Sequence, residues 1–230
     1  MIAIICAMDE ERDAVLKVMT DVKTKKAKKL NYQRHILEND YYIGKIGNKD
    51  VVLERCGIGK IYATLVTTNL INKFKPELVI NLGCAGSLKE DVYVGDTVIA
   101  DRVGDWEMDV PWWQRSITSE KSSYEASKKI LSLIKKSETI HIGPIVSSDS
   151  FIYKKSQLNI IKKYFPTALA GEMEGSAVAG TCYANGVEFT VIRTISDSTL
   201  VKGNDKQSDL NLIKTCDKSA KIVKKIIEKY

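Results

Sequence analysis

The chain has 230 residues, 44% of them hydrophobic and 28% charged, which is the balance of a globular chain and excludes a disordered one. Its 35 Lys and Arg exceed its 29 Asp and Glu by six, but the only arginines are Arg12, Arg34, Arg55, Arg102, Arg115 and Arg193. A lysine-dominated excess lacks the planar fork that grips phosphates in pairs, so it reads as a solvated surface and not as a nucleic-acid interface. Cys6, Cys56, Cys84, Cys182 and Cys216 form no CxxC pair and leave one over, and His35 and His141 are the only histidines. This pattern argues against a disulfide framework, a structural zinc site and a His-based metal centre, so no metal is expected.

Short β-branched runs alternate with longer helical patterns, which predicts one α/β domain over residues 1–230. Ile2 to Cys6 reads as a strand; it has no basic leader and runs into Asp9, Glu10 and Glu11, so it is not a secretory signal. A helix follows from about Asp9 to Met19, then a lysine-rich loop from Lys23 to Lys29. Alternation predicts strands at 33–38, 40–46 and 50–55, with a turn at Asn48, and Gly57 and Gly59 end the last of them. Tyr62, Val66, Leu70 and Phe74 step by four, which makes one buried helical stripe closed by Pro76. Further strands are expected at 77–82, 96–103, 139–147, 167–171 and 188–196, with helices near 122–136, 155–164 and 174–185. The last helix, about 208 to 229, has an apolar face of Leu210, Ile213, Cys216, Ala220, Val223, Ile227 and Tyr230. No stretch approaches the ~18 apolar residues of a membrane span, so the expected location is cytoplasmic, with no membrane partner. Trp106, Trp112 and Trp113 cluster in an irregular stretch, which marks a covered segment beside a site, the core or a subunit contact.

In an open α/β sheet, ligands bind at the carboxyl ends of the strands, and the residues after each run are consistent with one rim. Met8 to Glu11 follow the first strand, Gly57-Ile58-Gly59-Lys60 the strand at 50–55, and Gly83-Cys84-Ala85-Gly86 the strand at 77–82. Ser148-Asp149-Ser150-Phe151-Ile152, Glu172-Met173-Glu174 and Ser196-Asp197 finish the later ones. Each piece also has a plainer reading: Glu10, Glu11 and Glu174 as helix-dipole partners, Asp197 as a cap, Phe151 as core. Gly57-x-Gly59 fails as a dinucleotide fingerprint, and no GxxxxGK[ST] loop is present.

Together these runs, with Asn81 to Gly86 and Arg193 to Asp197, resemble the nucleoside phosphorylase superfamily, in order and spacing, over nearly the whole chain. Within it they are most similar to the nucleosidases that act on 5'-methylthioadenosine and S-adenosylhomocysteine. The resemblance implies a mixed, partly barrel-like central sheet flanked by helices, a homodimer, and hydrolysis of the adenine N-glycosidic bond of a small nucleoside without cofactor or metal. It implies that Glu11 activates water and that Asp197 protonates adenine N7. Glu174 would grip the ribose hydroxyls, Met173 would pack under the sugar, and Phe151 beside the base. Arg193 and Ser196 would support these groups, and Met8, Ile58, Ala85, Gly86, Ile152 and Glu172 would complete the substrate site.

Elementary chemistry supports those roles. Adenine leaves poorly as an anion, so an acid at N7 weakens the bond, and a carboxylate near the sugar stabilises an oxocarbenium-like state. The alternatives are a purine nucleoside phosphorylase of the same fold, a nucleosidase preferring a different 5' substituent, and a nucleoside-binding protein without turnover. A phosphate nucleophile needs cations around it, and three carboxylates would repel it; only Arg12 stands against that argument. Cys84 departs from the Ser or Thr usual in the nucleosidases. The stretches 104–119 and 198–209 also differ, which leaves the 5' pocket unassigned.

Overall fold

The structure is a computed structural model that describes residues 1–27, 30–32, 35–37, 39–108 and 122–230, with backbone alone for 30–32 and 35–37. In chain order it runs β1 (Ile2–Cys6), α1 (Asp9–Leu16), β2 (Thr20–Lys26), β3 (Leu30–Tyr32), β4 (His35–Leu37), β5 (Asp40–Ile46), β6 (Lys49–Arg55) and α2 (Lys60–Phe74). The second half comprises β7 (Leu78–Ser87), β8 (Thr97–Asp105), β9 (Tyr124–Glu125), α3 (Lys128–Leu133), β10 (Ile140–Ser147), α4 (Lys155–Tyr164), β11 (Ala170–Glu172), α5 (Gly175–Ala184), β12 (Glu188–Ser198) and α6 (Asn204–Lys229).

The main sheet orders its strands β11-β10-β8-β12-β7-β1-β6-β5-β2, and an antiparallel pairing of β11 with β7 closes the first five into a ring. This is the mixed, partly barrel-like sheet that the sequence resemblance implies. Central β1 lies parallel to both β6 and β7, and all five of its residues are buried. Because successive side chains alternate faces, Ala3 and Ile5 join one core with Ala63, Val66 and Leu70 of α2 and Val178 and Cys182 of α5. Ile2, Ile4 and Cys6 join the other core, with Val15 of α1 and Cys216, Val223 and Ile227 of α6. A β-strand buried on both faces must be apolar throughout, and β1 is.

Three expectations change. The lysine-rich stretch is β2, paired antiparallel with β5 and exposed along its length. It is an edge strand with no face to bury, so it lacks apolar alternation, and its lysines discourage pairing with another chain. The helix expected near 122–136 is the short strand β9 followed by α3. The apolar face of α6 is buried only in part: Cys216, Ala220, Val223 and Ile227 are inside, whereas Leu210 and Ile213 are exposed. Trp106 packs with Val146, Ile152, Ile161 and Phe165 in a small third core, so its covered area belongs to the fold. Trp112, Trp113 and residues 33, 34 and 38 of the strand expected at 33–38 lie outside the described residues.

Candidate active site

The carboxyl ends of β1, β7, β10, β11 and β12 open on one concave cavity, the kind of place where small-molecule sites lie. Met8, Glu11, Ile58, Ala85, Gly86, Phe151, Ile152, Glu172, Met173, Glu174, Ser196 and Asp197 all line it. Arg193 is the one site residue named from sequence that does not. Among the described residues, no lysine or arginine lines the cavity.

Glu11 both caps its own helix and reaches across the cavity wall. From the first turn of α1 its Oε2 accepts the N–H groups of Ala7 (2.8 Å) and Met8 (3.0 Å), as a helix-capping carboxylate does. Its Oε1 instead reaches across to the Cys84 N–H at 3.0 Å. That approach explains Gly83, where a Cβ would stand 2.6 Å from Glu11 Oε1 and 3.2 Å from Arg193 Nη1. Burial raises the Glu11 pKa, opposed by Arg193 and by the three backbone donors.

Gly83 to Gly86, expected to follow the strand at 77–82, continues β7 instead. Its glycines serve close approach and not a turn: a Cβ on Gly86 would meet Thr199 Cγ2 at 2.6 Å and Asp197 Oδ2 at 3.0 Å. Opposite it, β12 carries a bulge between Ile195 and Asp197, a device that re-aims a strand end beside a site. Asp197 is 1% exposed. Its Oδ1 accepts the Ser196 hydroxyl at 2.8 Å and its Oδ2 the Asn204 amide at 2.9 Å. Burial raises its pKa, and the Asn204 and Ser196 donors partly offset that.

Asn204 is the residue that sequence reasoning missed. It lies in the 198–209 stretch that departs from the resemblance, at the first turn of α6, four residues before that helix was expected to begin. Its amide bridges Asp197 and the Ile152 carbonyl (3.0 Å), tying the acid to the Phe151-Ile152 segment. Removing the donor in Asn204→Ala leaves the Asp197 anion less stabilised, so its pKa should rise further. The protonated form then persists to higher pH, and the alkaline limb of the kcat/KM profile should move upward; an unmoved limb would detach Asn204 from the acid.

Glu174 was open to reading as a partner for its own helix, but its side chain serves another. Oε1 accepts the Gly59 N–H at 2.8 Å at the N-terminus of α2, where Gly57 and Gly59 both hold positive φ. Its pKa is pushed up to about 8, first by burial and then by the neighbouring Glu172 charge. Glu172 lines the cavity too, yet its oxygens are engaged within the protein. They accept the Glu174 N–H (3.0 Å), the Gly175 N–H (2.8 Å to the nearer oxygen), the Ser147 hydroxyl and the Arg193 guanidinium. Arg193 is buried behind the cavity, ion-paired to Glu172 and donating to Asn81 Oδ1 at 2.6 Å. Two of the named residues therefore position others, and Arg193 offers the cavity no unpaired charge. Arg12 pairs with Asp9 and, at 2.7 Å, with Asp13, on the outer face of α1.

The Phe151 ring is 39% exposed at the mouth. Its segment is held from the side by Glu107, which accepts the Asp149 N–H (2.8 Å) and the Ser150 hydroxyl (2.6 Å). Thr199 and Ser208, from the second divergent stretch, add to the lining.

A five-stranded ring whose cavity is lined, among the described residues, by carboxylates and by no lysine or arginine suits nucleoside chemistry, and the comparisons agree. The chain belongs to the phosphorylase superfamily, whose family model matches residues 1–230. It is 33% identical over 231 residues to a 5'-methylthioadenosine/S-adenosylhomocysteine nucleosidase of Maridesulfovibrio salexigens, covering 96% of each chain. It is 37% identical over 205 residues to the nucleosidase of that name from Staphylococcus aureus, covering 86% of each. The S. pneumoniae nucleosidase of the same name, solved with a transition-state inhibitor, superposes with a TM-score of 0.88 at 28% identity, over 99% of this chain and 98% of that one.

Proposed function

We propose that the protein hydrolyses the N-glycosidic bond of 5'-methylthioadenosine and S-adenosylhomocysteine, releasing adenine. The observation that carries this reading is the lining itself: Glu11, Glu174 and Asp197 face one cavity, and among the described residues no lysine or arginine lines it. Such a site offers phosphate no cation to hold it, which argues against a phosphorylase, and a carboxylate beside the sugar stabilises its cationic state. The names of the relatives support the choice of substrates.

In this reading Asp197, whose pKa burial raises, delivers a proton to adenine N7 as the glycosidic bond lengthens. The oxocarbenium-like sugar forms between Glu11 and Glu174. Glu11 takes a proton from the attacking water; its raised pKa makes it a stronger base than a solvated carboxylate. Glu174 accepts hydrogen bonds from the two ribose hydroxyls, a diol that suits its two oxygens. Met173 packs against the sugar and Phe151 against the base. Residues 1–230 act as one domain, as a homodimer; exposed Ile61 and Leu65 beside the cavity-lining Ile58 supply an apolar surface for the second copy. The reaction fits recovery of methionine sulfur in a reducing, cytoplasmic compartment.

Incubation with 5'-methylthioadenosine should yield adenine; recovery of intact nucleoside after saturable binding would make the protein a binding module instead. Glu174→Ala should weaken transition-state stabilisation by roughly 2 to 4 kcal/mol, because two ribose hydroxyls lose their hydrogen-bond partner. Steady-state kinetics on ribosides and 2'-deoxyribosides check this. Equal losses on both would show that Glu174 does not touch the 2' position.

A further inference from the structure

Spacing along the chain pairs none of the cysteines, yet the fold brings Cys84 of β7 and Cys216 of α6 to a sulfur-to-sulfur distance of 3.7 Å. Glu11 completes the group: one of its carboxylate oxygens and the two sulfurs all lie within 4.8 Å of one another. The proposed hydrolysis uses neither sulfur. Cys216 is 1% exposed and does not line the cavity, whereas Cys84 and Glu11 do. We propose that Glu11, Cys84 and Cys216 form a binding site for a soft divalent cation of the zinc class, entered through the substrate cavity, whose occupation switches the enzyme off.

The distances favour a cation over a disulfide. Two sulfurs on one tetrahedral zinc, each ~2.3 Å from the metal, stand roughly 3.7 to 3.8 Å apart, the separation already present. A disulfide would need the sulfurs to close to ~2.05 Å. Sulfur and carboxylate oxygen on the same metal lie roughly 3.5 Å apart, which a small rotation of the Glu11 carboxylate supplies. Two thiolates and a carboxylate bring three negative charges, of which a divalent cation offsets two; on binding, the two thiol protons leave to solvent. Thiolate ligands select zinc or cadmium over magnesium or calcium. The Thr215 hydroxyl lies 3.0 Å from Cys84 Sγ and now donates to the Leu212 carbonyl at 2.8 Å; turned from that carbonyl, it would hydrogen-bond a bound thiolate. The fourth position is left to a water from the cavity.

Occupation takes a Glu11 oxygen away from the catalytic water, so the inhibitory half of the proposal rests on the role given to Glu11 above; the binding half does not. Cobalt(II) titrated into the reduced full-length protein, with a phosphine as reductant, should saturate at one ion per chain. It should show a thiolate-to-cobalt charge-transfer band with the visible bands of four-coordination, and zinc should displace it. One equivalent of zinc should lower adenine release at least tenfold, and a chelator should restore it. Cys216→Ala, at a residue that does not line the cavity, should keep its basal activity and require at least ~10²-fold more zinc for inhibition. Cys84→Ser should lose about half the charge-transfer intensity, so the site remains testable if the first variant folds poorly. A missing charge-transfer band, equal zinc sensitivity of Cys216→Ala, or an activity loss that only reductant reverses would overturn the proposal. A cobalt spectrum from a chain that releases no adenine would support the cation site and reject the proposed function.

Discussion

Asp197→Asn is expected to lower turnover of adenine nucleosides by at least ~10²-fold, the scale of a lost general acid. The substitution keeps the shape of the side chain and its place beside Ser196 and Asn204, so the fold should survive. What it removes is the proton. Burial, at 1% exposure, favours holding that proton, against two hydrogen-bond donors that favour the anion. An amide cannot pass it to N7, and adenine would have to leave as an anion. Binding of a non-hydrolysable adenosine analogue should change little, because the loss falls on the transition state. A loss under tenfold, measured by adenine release, would remove Asp197 as the acid.

Glu11→Gln should cost a similar order of turnover, ~10²-fold or more, for a reason on the other side of the sugar. The glutamine amide oxygen still accepts N–H groups, so the contacts to Ala7, Met8 or Cys84 are kept in part and α1 stays capped. The negative charge is lost, and with it both the base for water and the partner of the cationic sugar. Analogue affinity and melting temperature should stay close to the parent's. A folded Glu11→Gln protein with normal turnover would return this residue to helix capping alone.

The two variants probe a site that was partly readable in the chain. Carboxylates stand directly after strands, and a strand's end fixes where the next residues emerge, so Glu11, Glu174 and Asp197 were placed on one rim by local pattern alone. The cavity lining brings together every site residue named from sequence except Arg193. Arg193 and Glu172 were harder, because whether a charged residue meets substrate or another charge depends on long-range pairing; these two satisfy each other. Asn204 was invisible for a related reason: nothing in residues 198–209 signals that the first turn of α6 folds back onto Asp197.

The fold shows the same division. β1 and the body of α2 follow from apolar periodicity, which burial enforces. β2 escaped because an exposed edge strand carries no such pattern, and the end of β7 escaped because its glycines, which look like a turn, make room for Glu11, Asp197 and Thr199. The Cys84–Cys216 approach spans 132 positions and two elements, so no spacing rule reveals it.

The central claim is that water, and not phosphate, accepts the ribosyl group. The most direct measurement is the rate of adenine release from 5'-methylthioadenosine across a phosphate titration beginning from phosphate-free buffer, with the sugar product identified. The site geometry predicts a rate independent of phosphate and a free 5-methylthioribose product. A rate that rises with phosphate and a sugar 1-phosphate would contradict it.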